Sequence, residues 1–386
     1  MKAVILAAGE GRRLQPLTNR RPKPMLPVLN KPVLEYVVEA VADAGIDGVV
    51  LVVGYQRERI QTYFGDGDQW DIDIEYAVQE DQLGTGHAVQ QVRSLVDEEF
   101  LVLNGDRIIE PSLVEDVRAT AGSGTNATLS VTRVESPGQY GIVVTENDDL
   151  VRVEEKPVGD PSSNVINAGV YRFTDAIFPA IDHSERSPDG EVRLPSAITH
   201  LAAEASVDVV RYRGQWLDVT YPWDLLSVND RIVTEQDGAH NRQIDDTAAV
   251  TDGVTIGRGA TIGPNATVKR GTSLGANVSV GANVVVSNAV VMQDVTVADG
   301  AVIRDCIIDE NATVGPNATV SGGTATLTVE DTVHRDVSLG AVVGANTELG
   351  GEVVLRPGTV VGDDVTAEGG TVLSGDIDAN ATVHGG

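Results

Sequence analysis

Two patterns of apolar and polar positions divide the chain on either side of a polar stretch at 236–246. In the first, Ala3 to Ala8 is an apolar run without polar alternation, which predicts a strand buried on both faces of a parallel sheet. Val33, Leu34, Val37, Val38, Val41 and Ala44 recur at helical spacing and predict a helix over 32–44, closed by Gly45. Val49 to Val53 reads as a second buried strand ended by Gly54, and Phe100 to Leu103 as another. Ile60 to Phe64 predicts a short helix, and the alternation from Ile72 to Tyr76 an edge strand. Strands and helices in this rhythm imply right-handed crossovers and a mostly parallel α/β sheet, with ligands beyond the carboxyl ends of its strands.

The second pattern is a six-residue repeat. Ile256, Ile262, Val268, Leu274, Val280 and Val286 open it. Val297, Ile303, Ile308, Val314 and Val320 continue it with one slipped interval. After a gap at 322–332, Val337, Val343, Leu349, Leu355 and Val361 resume. One aliphatic per hexad, with Gly or Asn near a corner, predicts a parallel β-helix whose coils each use three repeats. The expected division is a first domain at 1–235, a linker at 236–246 and a β-helix at 247–386.

Charge narrows the classes. The 386 residues carry a formal net charge of -29, which argues against a nucleic-acid partner bound through its phosphates. Lys2, Lys23, Lys31, Lys156 and Lys269 are the only lysines among 28 basic residues. Excess acid with so little lysine suggests a halophilic protein from a cytoplasm of very high salt, where screening removes self-repulsion. A lone Cys306 excludes an intramolecular disulfide and fits a reducing compartment. No signal peptide and no apolar run of membrane-spanning length are evident, so a cytoplasmic protein without a membrane partner is expected.

Against that acidity, Arg12, Arg13, Arg20, Arg21 and Lys23 place five cations within twelve residues, just after the glycine turn at Gly9 and Gly11. An anion site is implied. The dinucleotide fingerprint fails because position 14 is Leu14, and no Gly-Lys-Ser/Thr of a P-loop occurs. What fits is L-A-A-G-x-G-x-R-L-x-P-L-T followed by P-K-P-x-L-P-V, over Leu6–Leu17 and Pro22–Val28. This resembles the sugar-1-phosphate nucleotidyltransferases, which join a nucleoside triphosphate to a sugar phosphate and release pyrophosphate.

The resemblance implies a Rossmann-like first domain, and it assigns roles along the chain. Leu6, Ala8, Gly9, Gly11, Arg13 and Lys23 would hold the nucleotide, with Arg13 and Lys23 on the triphosphate. The segment Gln79 to Val89 is similar to Q-x-x-Q-L-G-T-G-H-A of the uridyltransferases that make UDP-N-acetylglucosamine, so Gln79, Gly84 and Thr85 would contact the pyrimidine of UTP or dTTP. An amide side chain suits the acceptor, donor, acceptor edge of uracil or thymine. His87 reads as a helix-flank residue.

Asn104-Gly105-Asp106 ends a buried strand, and a carboxylate there suits Mg²⁺. Asp106 matches the family's metal ligand. For the second ligand, Asp218 matches the glucose-1-phosphate enzymes and Asn229 the N-acetylglucosamine enzymes. Arg13, Lys23, Asp106 and Asp218 form the expected catalytic set. Gly141, Glu154 or Glu155, Lys156 and Asn167 match the sugar-phosphate positions; alternation lets only one of the two glutamates face the sugar.

The repeat domain resembles the left-handed β-helices of acyltransferases and many nucleotidyltransferases, and the two-domain plan that of archaeal bifunctional nucleotidyltransferase/acetyltransferases. Acetyl-CoA is thus a possible second-domain substrate, although position 338 is Ser338 where those enzymes carry lysine. His334 is the histidine available as a base there. A regulatory subunit without catalysis is the alternative class, and a homo-oligomer, a trimer or a multiple of three, is expected.

Overall fold

The computed structural model describes residues 1–120, 124–146, 149–155, 162–187, 190–232, 243–330 and 332–385. Two compact units emerge. The first comprises Met1–Glu10, Arg21–Met25 and Val33–Asp218; the second Gly11–Arg20, Leu26–Pro32 and Val219–Gly386.

In the first unit, β1 (Lys2–Ala7), β2 (Gly48–Val53), β3 (Asp73–Val78) and β4 (Glu99–Asn104) are parallel, in spatial order β4-β1-β2-β3. The apolar run of β1 explains itself in the packing. Ala3, Ile5 and Ala7 point into one core with Leu34, Val37, Val38 and Val41 of helix α1 (Val33–Asp43). Val4 and Ala8 point into the other, with Val89, Phe100 and Phe178. Side chains alternate across a strand, so a sheet covered by helices on both faces requires apolar residues at every position. β3 closes one edge and alternates in burial, as its sequence pattern predicts.

Beyond β4 the sheet turns mostly antiparallel. β5 (Ala127–Arg133), β6 (Gly141–Glu146), β7 (Asp149–Glu155), β8 (Val165–Thr174) and β9 (Val207–Arg211) extend it, with β8 against β4. A separate two-stranded ribbon joins Arg107–Ile109 to Trp216–Asp218 and sets Asp218 directly opposite Arg107.

The second unit is built on the left-handed parallel β-helix that the hexad specifies. Ile244, Ile262, Val280, Val297, Val314, Leu349, Ala367 and Val383 pair in succession along one face. Val250 to Leu373 and Ile256 to Ile377 run along the other two. One aliphatic from each face stacks into a continuous core. Between Val320 and Leu355 the coil is interrupted by an antiparallel hairpin, Thr324–Val329 with Thr332–Ser338. Val337 therefore belongs to this hairpin and not to the repeat; its hexad spacing is coincidental, and it is absent from the stacked core. Helix Pro222–Ile232 packs in this unit too, against the strand Val285–Val291. Of the expected linker, 243–246 is described and opens the first coil.

Candidate active site

The carboxyl ends of the parallel strands bring the first set of residues together. Gly54, after β2, lies so close to its neighbours that a Cβ there would sit 3.0 Å from the carbonyl oxygens of both Ala8 and Gln79. The ends of β1, β2 and β3 are thereby drawn into one line. Gly105, after β4, is tighter still: a Cβ would lie 2.7 Å from Leu6 O, while its N–H donates to that oxygen at 2.9 Å. Only glycine permits this turn, which delivers Asp106 and Arg107 to the edge of the sheet.

At that edge four charged side chains converge. Lys23 sits in a one-turn helix, Lys23–Met25, with Pro22 O accepting from Met25 N at 2.9 Å. Its Nζ donates to Asp106 Oδ2 at 2.6 Å and lies 3.9 Å from Asp218 Oδ1. Arg107 Nη1 lies 3.0 Å from Asp106 Oδ1 and hydrogen-bonds Asp218 Oδ1. The Asp218 side chain is 4% exposed and that of Arg107 15%. Burial acts to raise the Asp106 pKa, but the Arg107 and Lys23 cations outweigh it and hold the carboxyl well below the usual carboxylate range. Conversely, the two carboxylates overcome burial and keep Arg107 charged.

Two carboxylates reached by one ammonium converge on a common point, which fits a divalent cation. Among the described residues no group of three or more His, Cys, Asp or Glu gathers. The protein would thus offer two carboxylates, and phosphate oxygens and water the remaining ligands, which is the habit of Mg²⁺. Asn229 belongs to the second unit, where it is fully buried. Its Oδ1 accepts from Leu29 N at 3.0 Å and its Nδ2 donates to Gly271 O at 3.1 Å.

Gln79, after β3, is 4% exposed. Its Nε2 donates to Gly84 O at 3.1 Å and lies 3.0 Å from His87 Nδ1. Gly84 has φ +93°, and a Cβ there would meet Val192 O at 2.6 Å, so the glycine is obligatory. Thr85 does not cap its own helix; its Oγ1 accepts from Leu194 N at 3.0 Å. His87, read from sequence as a mere flank residue, fixes the Gln79 amide instead.

On the other side, Glu154 and Glu155 part company. The Glu154 carboxylate pairs with Arg152, its Oε1 2.9 Å from Arg152 Nε. Glu155 Oε2 lies 3.0 Å from where a Cβ on the buried Gly141 would be, so Glu155 is the glutamate beside the expected sugar positions. Asn167 Nδ2 donates to Tyr171 Oη at 2.6 Å and its Oδ1 accepts from Gly169 N at 3.0 Å. Tyr140 meets Trp216 edge-on at 5.6 Å, and the Arg107 guanidinium lies 5.3 Å from the same indole. Trp216 is anchored by its Nε1, which donates to Ala168 O at 2.8 Å. Lys156 lies outside the described residues.

Gly11 and Arg13 belong to the second unit. Gly11 has φ +74° and begins the turn Arg12–Leu14. Arg13 Nε donates to Glu330 Oε2 at 2.9 Å, and its guanidinium lies 5.9 Å from the Tyr221 ring. Asn19 Nδ2 donates to Asp363 at 2.9 Å, and Arg20 pairs with Asp364. His334, on the hairpin, packs against Tyr221 and Trp223 with centroids 4.5 and 5.1 Å away. Burial and then Arg13 lower its pKa.

Residues 2–235 match the family described as "Nucleotidyl transferase". The chain belongs to the nucleotidyl transferase family. Residues 240–339 match the "GMPPB C-terminal domain". Among curated relatives, the chain is 36% identical over 258 residues to "Bifunctional protein GlmU" of Methanococcus maripaludis, covering 66% of this chain and 60% of that protein. The protein of the same name from Methanocaldococcus jannaschii is 40% identical over 243 residues, covering 62% and 57%. The match to "UTP--glucose-1-phosphate uridylyltransferase AglF" of Haloferax volcanii is 36% over 239 residues, which is 61% of this chain and 98% of the relative. The GlmU matches thus span about three fifths of those proteins. Arg107 is the residue of this nucleotidyl transferase that sequence reasoning missed: it follows the Gly-Asp pair but belongs to no motif. Its only sequence signal is an arginine placed directly after a candidate metal ligand.

Proposed function

We propose that the protein transfers a nucleotidyl group from UTP or dTTP to a sugar-1-phosphate, glucose-1-phosphate or N-acetylglucosamine-1-phosphate, and releases pyrophosphate. The observation that carries this is the convergence of Lys23, Asp106 and Asp218 at the carboxyl edge of a parallel sheet in a nucleotidyl transferase chain. The name of the Haloferax relative, a UTP–glucose-1-phosphate uridylyltransferase, supports the substrate pair.

In the proposed reaction the sugar phosphate oxygen attacks the α-phosphorus, one P–O bond forms as another breaks, and pyrophosphate departs. No protein nucleophile is needed, so the chain's contribution is position and charge. Lys23, held between two prolines, supplies a compact cation to the transferred phosphate; Arg13 with the Gly9 and Gly11 backbone would serve the triphosphate, and Leu6 and Ala8 the nucleoside. Gln79 with Gly84 and Thr85 reads the pyrimidine. Gly141, Glu155 and Asn167 receive the sugar, with Lys156 on its phosphate. Mg²⁺ held by Asp106 and Asp218 would supply neutralisation of phosphate charge. Asn229 is left out, because its amide is committed to backbone groups.

The 1–235 segment would carry this reaction and the 247–386 segment assembly, as a cytoplasmic homo-oligomer such as a trimer. Among the described residues no helix is long and apolar enough to cross a membrane. The test is pyrophosphate release in molar KCl with Mg²⁺, crossing UTP, dTTP, ATP, GTP and CTP with glucose-, N-acetylglucosamine- and glucosamine-1-phosphate. Turnover confined to UTP or dTTP is expected, and no turnover with any pair would sink the proposal. Acetyl-CoA with glucosamine-1-phosphate in the same experiment tests acetyl transfer by the second unit.

A further inference from the structure

The two carboxylates that suit a divalent cation are already bridged. Arg107 Nη1 lies 3.0 Å from Asp106 and is hydrogen-bonded to Asp218, so it takes an oxygen of each. With Lys23 on the other Asp106 oxygen, the formal charges of the four groups cancel. A divalent cation entering this ground must displace a guanidinium of like sign from both ligands, at distances where charges interact strongly. Yet Arg107 is not fully satisfied where it lies. Its Nε is buried and has no hydrogen-bond partner among the described residues, so one N–H of the guanidinium goes unused. A phosphate accepts from two guanidinium N–H groups at once, a geometry that the present contacts to separate carboxylates do not give. The Trp216 ring 5.3 Å away keeps the guanidinium on the side where Tyr140 leads into Gly141 and the sugar positions.

We propose that Arg107 is a built-in competitor for the divalent cation at the Asp106–Asp218 pair, drawn off by the phosphate of an arriving phosphate monoester. Cation binding is weak until that phosphate is present, and the two bind cooperatively. The identity of the monoester as a sugar-1-phosphate rests on the nucleotidyl-transfer proposal; the competition between Arg107 and the cation does not.

The experiment is Mn²⁺ binding to the full-length protein in molar KCl without nucleotide, followed by the electron paramagnetic resonance of free Mn²⁺. R107M and R107Q, both neutral, are expected to bind Mn²⁺ at least about tenfold tighter than the parent chain, and R107K to stay close to it. Adding D218N to R107M should remove the gain, which places the ion at the pair. Saturating glucose-1-phosphate should tighten Mn²⁺ binding in the parent chain but leave R107M and R107Q unchanged. Inorganic phosphate in a parallel arm shows whether the phosphate alone suffices; tightening by either ligand in the parent chain supports the coupling. Equal Mn²⁺ affinity in the parent and in whichever neutral variant retains the parent circular dichroism would overturn the proposal. So would tightening by the monoester that persists in that variant. Absence of turnover with every substrate pair would remove the sugar-phosphate identity and leave the Mn²⁺ comparison standing.

Discussion

Lys23 is one of five lysines in a chain that otherwise uses arginine, and its ammonium sits 2.6 Å from Asp106. Lys23→Ala removes a positioned point charge, and Asp106→Asn a charged ligand. Each is expected to slow pyrophosphate release about 10²–10³-fold at an unchanged circular dichroism spectrum; turnover near the parent rate in either would count against the assignment. A finer expectation concerns Gln79. With His87 in the tautomer that leaves Nδ1 as an acceptor, both N–H groups of the Gln79 amide are used inward, on Gly84 O and His87 Nδ1, and Oε1 is the acceptor offered to a base. Uracil and thymine carry an N3–H donor and cytosine does not. His87→Ala should therefore relax the UTP-over-CTP ratio of kcat/KM about fivefold, by the loss of one hydrogen bond that fixes the amide. A ratio unchanged from the parent would show that Gly84 alone sets the amide's polarity.

What the sequence could reveal follows from where information is local. Gly84, Gly105 and the hexad aliphatics were legible because turns and coils impose fixed spacings. Which of Glu154 and Glu155 lies beside Gly141 was not, because strand alternation says that two neighbours face opposite ways without saying which way is in; the approach of Glu155 to Gly141 and the pairing of Glu154 with Arg152 distinguish them. Arg107 was invisible for a different reason. Its meaning arises from the ribbon that sets it opposite Asp218, more than a hundred residues later.

At the scale of elements, the β-helix shows how a repeat sets chemistry aside. Cys306 lies inside a coil, fully buried between Ala289 and Ala341 in the pairing of one face. Burial pushes its thiol well above the ordinary range, so the reactive thiolate is scarce. Labelling by a thiol reagent at pH 8 should be absent in the native protein and complete after denaturation; fast native labelling would contradict the stacked core. The corners use another device. Asn277, Asn288 and Asn346 adopt left-handed backbone angles, and their amides donate to Asp294, Asp305 and Asp364 of the next coil at 2.9, 2.7 and 2.9 Å. Asparagine tolerates that conformation better than other residues with a side chain, and here it also receives a carboxylate. The hexad announced the coils, whereas the hairpin at Thr324–Ser338 escaped it because Val337 falls on the expected spacing by chance.

For the whole molecule, the formal net charge of -29 is the dominant fact. Some of the acidic residues are answered by cations; others, such as Asp294 and Asp305, receive amides. Salt screens the remaining repulsion and leaves amide-to-carboxylate hydrogen bonds largely intact. The thermal midpoint should rise as KCl increases from 0.1 M towards molar concentrations, and a flat or falling curve would contradict a protein suited to high salt. One of the similar proteins, AglF, comes from Haloferax volcanii.

The registry of the second unit makes it a screw thread. Val280 pairs with Val297, so excising 280–296 would join Ser279 to the residue already seated beneath its successor. Every coil beyond would advance towards the start by one strand spacing, about 4.8 Å, and keep its compass bearing. Removing a single hexad would instead turn the remaining thread by a third of a revolution while leaving its aliphatic core inside. The hairpin that carries Glu330 and His334 would then point in a new direction. Length and direction are thus separate dials on this half of the molecule, one set in whole turns and the other in thirds.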